Sequence, residues 1–576
     1  MYSKKAFEIL SSSINSAIFI DEKAKDFFST KNIDEAIPEE KLSVNLFNSF
    51  KSNGKSLVVH KFEKENLQNA NTLKYLFGGR DLILLDWELA EHAGQEHSLT
   101  LLSKAVRTPN INFCCIYSSS GNFNTIPLFL DAYFSGLSKI DFEKINDIYS
   151  HIESSEIKDV WNKTESEIDA FIDENEVVIA EFPIERCRNK SKQLLLKYIY
   201  ISINIETFIV PDSVNSEYEV LNAGSDSFNI NNTFILTLKK DYSIDTDYTE
   251  LLKRISEKII KNDGSFFQLL GLEMQSLFNN NERFIDETIL KSSTEALFLF
   301  RDHLKDDKIF GTIIKKLLLE QAALKLRTAN LKLLKPDLLD SKSKELAGKK
   351  PSNEDLFHLN VFYNSVSVRE LNSEDVPSLN FGDVFKDKDD NYYLCITALC
   401  DCYYPNKISG NFYFAQGVEF DDIDLALKLG DTAFLSFLPN GKAVYWGDIE
   451  NPKLKKYKPK ILSSSEDSIE TLKSDIEIQK KQIDTLVHNH NILNSFLYKP
   501  FYIKPKVYNV ENNKIADNKI RIWDITNKLV SEERNHNLNY YDIFYITTLR
   551  SDYAQRIANH AFGHPGRVGV DFVKYN

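Results

Sequence analysis

The stretch Asp81-Leu82-Ile83-Leu84-Leu85-Asp86-Trp87 constrains this chain more than any other. Four consecutive branched apolar residues cannot alternate between a core and water. They fit a strand covered on both faces, as in a parallel sheet with helices on each side. The run stops abruptly at an acid. In an open α/β sheet, ligands and reactive groups collect at the carboxyl ends of the strands, so Asp86 stands where chemistry is expected. Three more runs read as strands: Ala17–Ile20, followed by Asp21 and Glu22; Ser56–His60; and Phe113–Tyr117, followed by Ser118. Between them Glu65–Leu76 and Ser98–Val106 have helical spacing. Strands alternating with helices predict βαβ units and a doubly wound, mostly parallel sheet over residues 1–155.

Asp21, Glu22, Asp86 and Ser118 would then emerge at one edge of that sheet. A short fifth strand is expected at Ala132-Tyr133-Phe134-Ser135, with Lys139 just beyond it. Three carboxylates gathered in a small volume repel one another unless a cation neutralises them. An all-oxygen set of this kind suits Mg²⁺, with waters completing its shell. A hydroxyl and an ammonium opposite the metal can hold phosphoryl oxygens, and phosphoryl transfer asks mainly for positioning and charge neutralisation. The plainer alternative is that each acid caps the helix after its strand, that Ser118 is an ordinary loop hydroxyl and that Lys139 is a solvated lysine.

In its order of residues this segment resembles a response-regulator receiver domain. The resemblance implies that Asp21 and Glu22 hold Mg²⁺ together with Asp86. It further implies that Asp86 is the phosphoacceptor and that Ser118 and Lys139 complete the switch. The sequence departs from the family pattern in three places. The spacing from Asp21 to Asp86 is long, with the excess assigned to an insertion within Ser29–Lys55. Lys139 is followed by Ile140 where the family has proline. The segment between Ser118 and Lys139 fits the usual helix and strand poorly. A pseudo-receiver that keeps the fold without the chemistry stays open as an alternative.

The other three-quarters of the chain says less. Residues 156–340 read as a mostly helical middle domain with a small β element, strand-like at Thr207–Val210 and Thr233–Leu238. Residues 341–354 are polar and lysine-rich and read as a linker. Residues 355–460 carry short aromatic-rich strands, expected to form a small β-barrel-like module. Residues 461–576 read as a helix, from about Ser468 to Phe496, followed by an α+β tail. The net charge of −14 argues against a protein that simply coats nucleic acid. Six cysteines without a regular framework suit a reducing cytoplasm, and no run of about 20 apolar residues is present to cross a membrane.

Other groups invite chemistry. Cys395, Cys400, Asp401 and Cys402 could offer donors to zinc, although buried structural cysteines are the simpler reading. His488 with His490, and His560 with His564, lack the rest of a metal motif. Arg550, Arg556 and Arg567 make the tail locally basic and could receive a phosphate or a nucleic acid. No Gly-rich nucleotide loop occurs. The reading that follows is a signalling or adaptor protein, more a switch than an enzyme, phosphorylated on Asp86 by a separate histidine-kinase-like or heat-shock-90-like ATPase. Large receiver-headed proteins of this type resemble components of bacterial anti-phage systems. The alternative is an enzyme or nucleic-acid-binding effector whose site lies in residues 360–576, with Cys400, Asp401, His560, Arg556 and Arg567 as its suspects.

Overall fold

The computed structural model describes residues 2–576 except 26–33, 35–36, 90–93, 120–122, 189, 214–219, 222–226, 262–264, 281–290, 292, 305–306, 328, 367–375, 421, 430–433, 447–502, 504, 526–539 and 564–576. The chain divides into two compact units, Met1–Ala347 and Gly348–Asn576.

In the first unit the apolar runs do what their period demands. Strands β1 (Ser16–Asp21), β2 (Ser56–Lys61), β3 (Leu82–Leu85) and β4 (Asn112–Ser118) pair in parallel in the order β2-β1-β3-β4. Helix α1 (Tyr2–Ser13) precedes them, and α2 (Pro38–Ser52), α3 (Ala70–Phe77) and α4 (Gly94–Ala105) are the crossovers. Alternate residues of β3 feed two cores, one on each face. Leu82 and Leu84 join Phe19, Leu46 and Phe50, and Ile83 and Leu85 join Ile18, Leu99 and Leu102. The stretch Ser29–Lys55, expected as an insertion, holds α2, which is the ordinary crossover from β1 to β2.

The sheet does not close where the sequence placed its end. Ala132–Phe134 is not a strand but the last turn of α5 (Ile126–Phe134), which begins with Pro127 in its first turn, the favoured helical place for proline. Apart from Asp131 and Tyr133 this helix is apolar, and it is covered on two sides. Ile126, Leu130 and Phe134 belong to the sheet core, whereas Leu128 and Ala132 belong to a separate core. That second core is a helical bundle of α6 (Lys139–Tyr149), α7 (Ser154–Val160), α8 (Glu165–Glu174) and α9 (Lys192–Ile203), packed around Phe142, Ile157, Trp161, Phe182 and Ile199. Thr207 ends a 3₁₀ turn, and Phe208–Val210 form no strand.

The fifth parallel strand comes only after this bundle. The short strands β5 (Val220–Leu221) and β6 (Ser227–Ile230) lead antiparallel into β7 (Thr233–Lys239), which lies parallel beside β4, from Asn112 opposite Thr233 to Ser118 opposite Lys239. The β element expected within a middle domain is therefore part of the N-terminal sheet. Helices α10 (Tyr248–Ile259) and α11 (Ser265–Asn280) then pack beside α1, through Leu251, Leu252, Ile255, Leu269 and Leu272.

The second unit is built on six antiparallel strands that close on themselves, as the aromatic-rich spacing predicts. β9 (Asp383–Lys386), β10 (Asn391–Cys395) and β11 (Asn411–Phe420) are followed in the ring by β14 (Pro505–Val510), β15 (Lys519–Asp524) and β16 (Tyr541–Leu549), which returns to β9. Among the described residues three further strands lie outside the ring. The short β8 (Ser365–Val366) extends β16, and the hairpin β12 (Leu435–Phe437) and β13 (Ala443–Trp446) is added along the second half of β11. Gly417 permits that pairing, since a Cβ there would lie 2.6 Å from side-chain atoms of Trp446 and Val444. Phe385, Tyr393, Phe412, Phe414, Tyr508 and Ile522 share one core, while helix Ser551–Gly563 packs Ala554, Ile557 and Ala561 into another. The residue 341–354 segment contains the boundary between the two units, and the 468–496 helix lies outside the described residues. Among the described residues no helix is long and apolar enough to cross a membrane.

Because β7 is the neighbour of β4, a fragment ending at residue 167 leaves the buried strand β4 unpaired along one edge. We expect residues 1–167 to be aggregated or molten and residues 1–347 to unfold cooperatively, as followed by circular dichroism on heating.

Candidate functional site

Three strand ends converge. Asp21 is the last residue of β1, Asp86 follows β3, and Lys240 follows β7. Asp21 is fully buried, and Asp86 and Lys240 are more than nine-tenths buried. The ammonium Nζ of Lys240 lies 2.7 Å from Asp21 Oδ2 and 3.0 Å from Asp86 Oδ2, so a single cation bridges the two acids. The backbone aims these groups. Asp86 N–H donates to the Ile20 carbonyl at 3.0 Å, and Lys240 N–H donates to the Ser118 carbonyl at 2.8 Å. The remaining carboxylate oxygens are held locally, Asp21 Oδ1 by Lys23 N–H at 2.7 Å and Asp86 Oδ1 by Trp87 N–H at 2.9 Å. Neither acid is a helix N-cap, the plainer reading of an acid at a strand end.

The electrostatics follow from burial. Desolvation pushes the Asp86 carboxyl up, to about 7, against the lowering pull of Lys240 and with a further rise from Asp21. Burial works against the Lys240 ammonium, but the charges of Asp21 and Asp86 more than offset it and hold its pKa above the ordinary lysine value. A second buried network adjoins this one. Tyr117 Oη donates to Asp245 Oδ2 at 2.6 Å, Asp245 pairs with Arg254, and the Tyr117 ring centroid lies 5.9 Å from Lys240 Nζ.

The sequence expectations divide here. Asp21 and Asp86 meet. Ser118 ends β4, buried, with its carbonyl fixing the Lys240 backbone. Glu22 sits half-buried in the turn after β1, its carboxylate 3.8 Å from Lys23 Nζ. Lys139 is exposed at the first position of α6, with its N–H bonded to the Pro211 carbonyl at 3.1 Å. It follows no strand, because the segment before it is helix α5 and its turn. Lys240 takes the strand-end position. It was missed through distance, lying more than a hundred residues beyond Ser118, yet its signature was present: Phe234-Ile235-Leu236-Thr237-Leu238 is a doubly buried run ending in charge, the same pattern as Leu82–Leu85 before Asp86.

Among the described residues no three His, Cys, Asp or Glu side chains form a metal cage. This applies to the zinc suspects Cys395, Cys400, Asp401 and Cys402. Cys395 and Cys402 are buried, Cys400 is exposed, and Cys402 Sγ donates to the Thr397 carbonyl at 3.5 Å. The His560 ring packs on Phe434, and Arg550 Nε donates to the Phe362 carbonyl at 2.8 Å. Arg556 is half-buried on the same helix as His560. His488, His490, His564 and Arg567 lie outside the described residues. For Mg²⁺ the donors fit in kind. Two hard carboxylates stand at one edge, and Mg²⁺ is ordinarily held by one or two carboxylates with several waters retained.

Residues 13–167 match the family described as the response receiver domain. The N-terminal domain is receiver-like. The match takes in Asp21, Asp86 and Ser118 and stops short of β7, so Lys240 lies beyond it. Comparison with curated proteins and with solved structures gives no match.

Two outcomes are expected of this geometry. Lys240→Met leaves two buried carboxylates without their cation and should destabilise the first unit by about 3–5 kcal/mol in urea unfolding. Lys139→Met, at an exposed position, should change it by less than about 0.5 kcal/mol. Asp86 has a folded pKa above its unfolded one, so the folded chain holds a proton that the unfolded chain releases. Its contribution to stability therefore falls as pH rises from about 4 to about 7. Asp86→Asn removes that penalty. The variant should exceed the native chain in stability by about 1–3 kcal/mol at pH 8, and by less at pH 5.

Proposed function

We propose that the first unit is a phosphoreceiver in which Asp86 accepts the phosphoryl group. The observation that carries this reading is the bridge of Lys240 between Asp21 and Asp86 at the carboxyl edge of a receiver-like sheet. An Asp86 carboxylate oxygen attacks phosphorus in line, a P–O bond to Asp86 forms, and the bond to the donor's leaving atom breaks as that atom takes up a proton. Asp21 and Asp86 would hold Mg²⁺, with Glu22, in the turn that follows Asp21, as a further carboxylate. When bound there, Mg²⁺ supplies neutralisation of the carboxylates and orientation of the phosphoryl oxygens. Lys240 offers an ammonium to the phosphoryl oxygens, and Ser118, at the end of β4, offers a hydroxyl.

Phosphorylation adds about −1.5 to −2 charges at Asp86, which changes the partner balance of Lys240. The product is a state of the protein rather than a released compound, so the reading is a signalling protein. The sequence carries no Gly-rich nucleotide loop, which favours a separate donor. We assign that role to a histidine-kinase-like or heat-shock-90-like ATPase in the cytoplasm, by analogy with receiver-headed proteins of bacterial anti-phage systems. The tail arginines Arg550 and Arg556 give less support to nucleic-acid binding, since Arg550 is committed to a backbone carbonyl.

Incubation with acetyl phosphate and Mg²⁺ should add the mass of one phosphoryl group to the native chain and none to Asp86→Asn. Lys139→Met should be modified as the native chain is. Equal modification of native and Asp86→Asn chains would reject Asp86 as the acceptor.

A further inference from the structure

Trp87, the residue next to Asp86, has two attachments. Its N–H holds Asp86 Oδ1, and its indole is buried in the sheet core, edge-on to Phe129 of α5 with ring centroids 5.7 Å apart. Phe129 packs on Phe208 at 5.0 Å, Phe208 on Tyr200 of α9 at 6.2 Å, and Tyr200 on Trp161 at 4.9 Å. These rings form an unbroken line from the phosphoacceptor's neighbour into the helical bundle. Trp161 and Tyr200, at its far end, belong to the bundle core, and α5 contributes to both cores at once.

The connectivity points the same way. The bundle is spliced between β4, whose carboxyl end carries Ser118, and the strands β5–β7, the last of which ends just before Lys240, so the chain enters the bundle directly from the edge that carries the site. Within it, Lys197 of α9 pairs with the buried Asp131 of α5 at 3.1 Å. This ties the helix that touches Trp87 to the helix that carries Tyr200.

We infer that the helical bundle of residues 126–208 is the element that reads the state of Asp86, through the contact of Trp87 with Phe129. This rests on the reading of Asp86 as the acceptor. A phosphoryl group at Asp86 competes for the N–H of Trp87 and for Lys240. Any shift of Trp87 reaches Phe129 directly, because the close-packed rings leave no slack. Energetic coupling of this kind is reciprocal, so the packing of the bundle also sets how readily Asp86 is modified.

The test is hydrogen exchange by mass spectrometry on the full chain, with and without beryllofluoride and Mg²⁺, for the native protein, Phe129→Ala and Phe129→Leu. Thermal stabilisation by beryllofluoride reports the Asp86 site separately. The native chain should show altered exchange both around residues 82–89 and in α9. In the Phe129 variants the stabilisation and the change at 82–89 should persist while the change in α9 is lost. Phe129→Leu keeps the bulk of the side chain should alanine prove too disruptive. A native chain that is stabilised without any change in α9 would overturn the inference and leave the acceptor reading intact. So would an α9 response retained in both variants. No beryllofluoride response at all would overturn both.

Discussion

One buried cation organises the first unit. Lys240 is enclosed with two carboxylates in a site almost closed to water, where isolated charges are costly and an ion pair must be well made to be tolerated. Everything around it serves that arrangement. β1, β3 and β7 end at one edge, the carbonyl of Ser118 fixes the lysine backbone, and the N–H groups of Lys23 and Trp87 hold the outer carboxylate oxygens. Three charges in contact sum to −1, an imbalance that a divalent cation or a change of protonation at Asp86 can redress. The site is therefore poised to respond to the arrival of charge.

The cost of this arrangement is topological. The cation comes from a strand that the chain reaches only after building an independent helical bundle, so the sheet stays incomplete until residues 233–239 dock against β4. Long-range parallel pairing of this sort closes a large loop before any contact compensates for it. The bundle offsets part of that by bringing its own core and by sharing α5 with the sheet.

How much of this could be read in advance depends on the distance over which each signal acts. The strands at Ala17–Ile20, Leu82–Leu85 and Phe113–Tyr117 were legible because burial on both faces imprints a local run of apolar residues. Asp21 and Asp86 were legible because those runs end in charge. The aromatic strands of the second unit were legible as a barrel through a different local signal, short aromatic-rich runs at close spacing. Lys139 was placed wrongly because α5, covered on two sides and apolar but for Asp131 and Tyr133, carries no clear amphipathic period to separate it from a short strand. Lys240 carried the right local signature, but nothing in the residues says that a strand after a long excursion returns to the same sheet. Thr207–Val210 looked like a strand by composition, yet Phe208 is used for ring packing in the bundle.

Lys240 and Asp86 form one energetic unit. A double-mutant cycle of Lys240→Met and Asp86→Asn, read as urea unfolding of the full chain at pH 8, addresses it directly. The account predicts a coupling above about 1 kcal/mol, with the double variant more stable than the two single effects sum to. Effects that add within about 0.3–0.5 kcal/mol would mean that the two side chains do not share a site, and would contradict it.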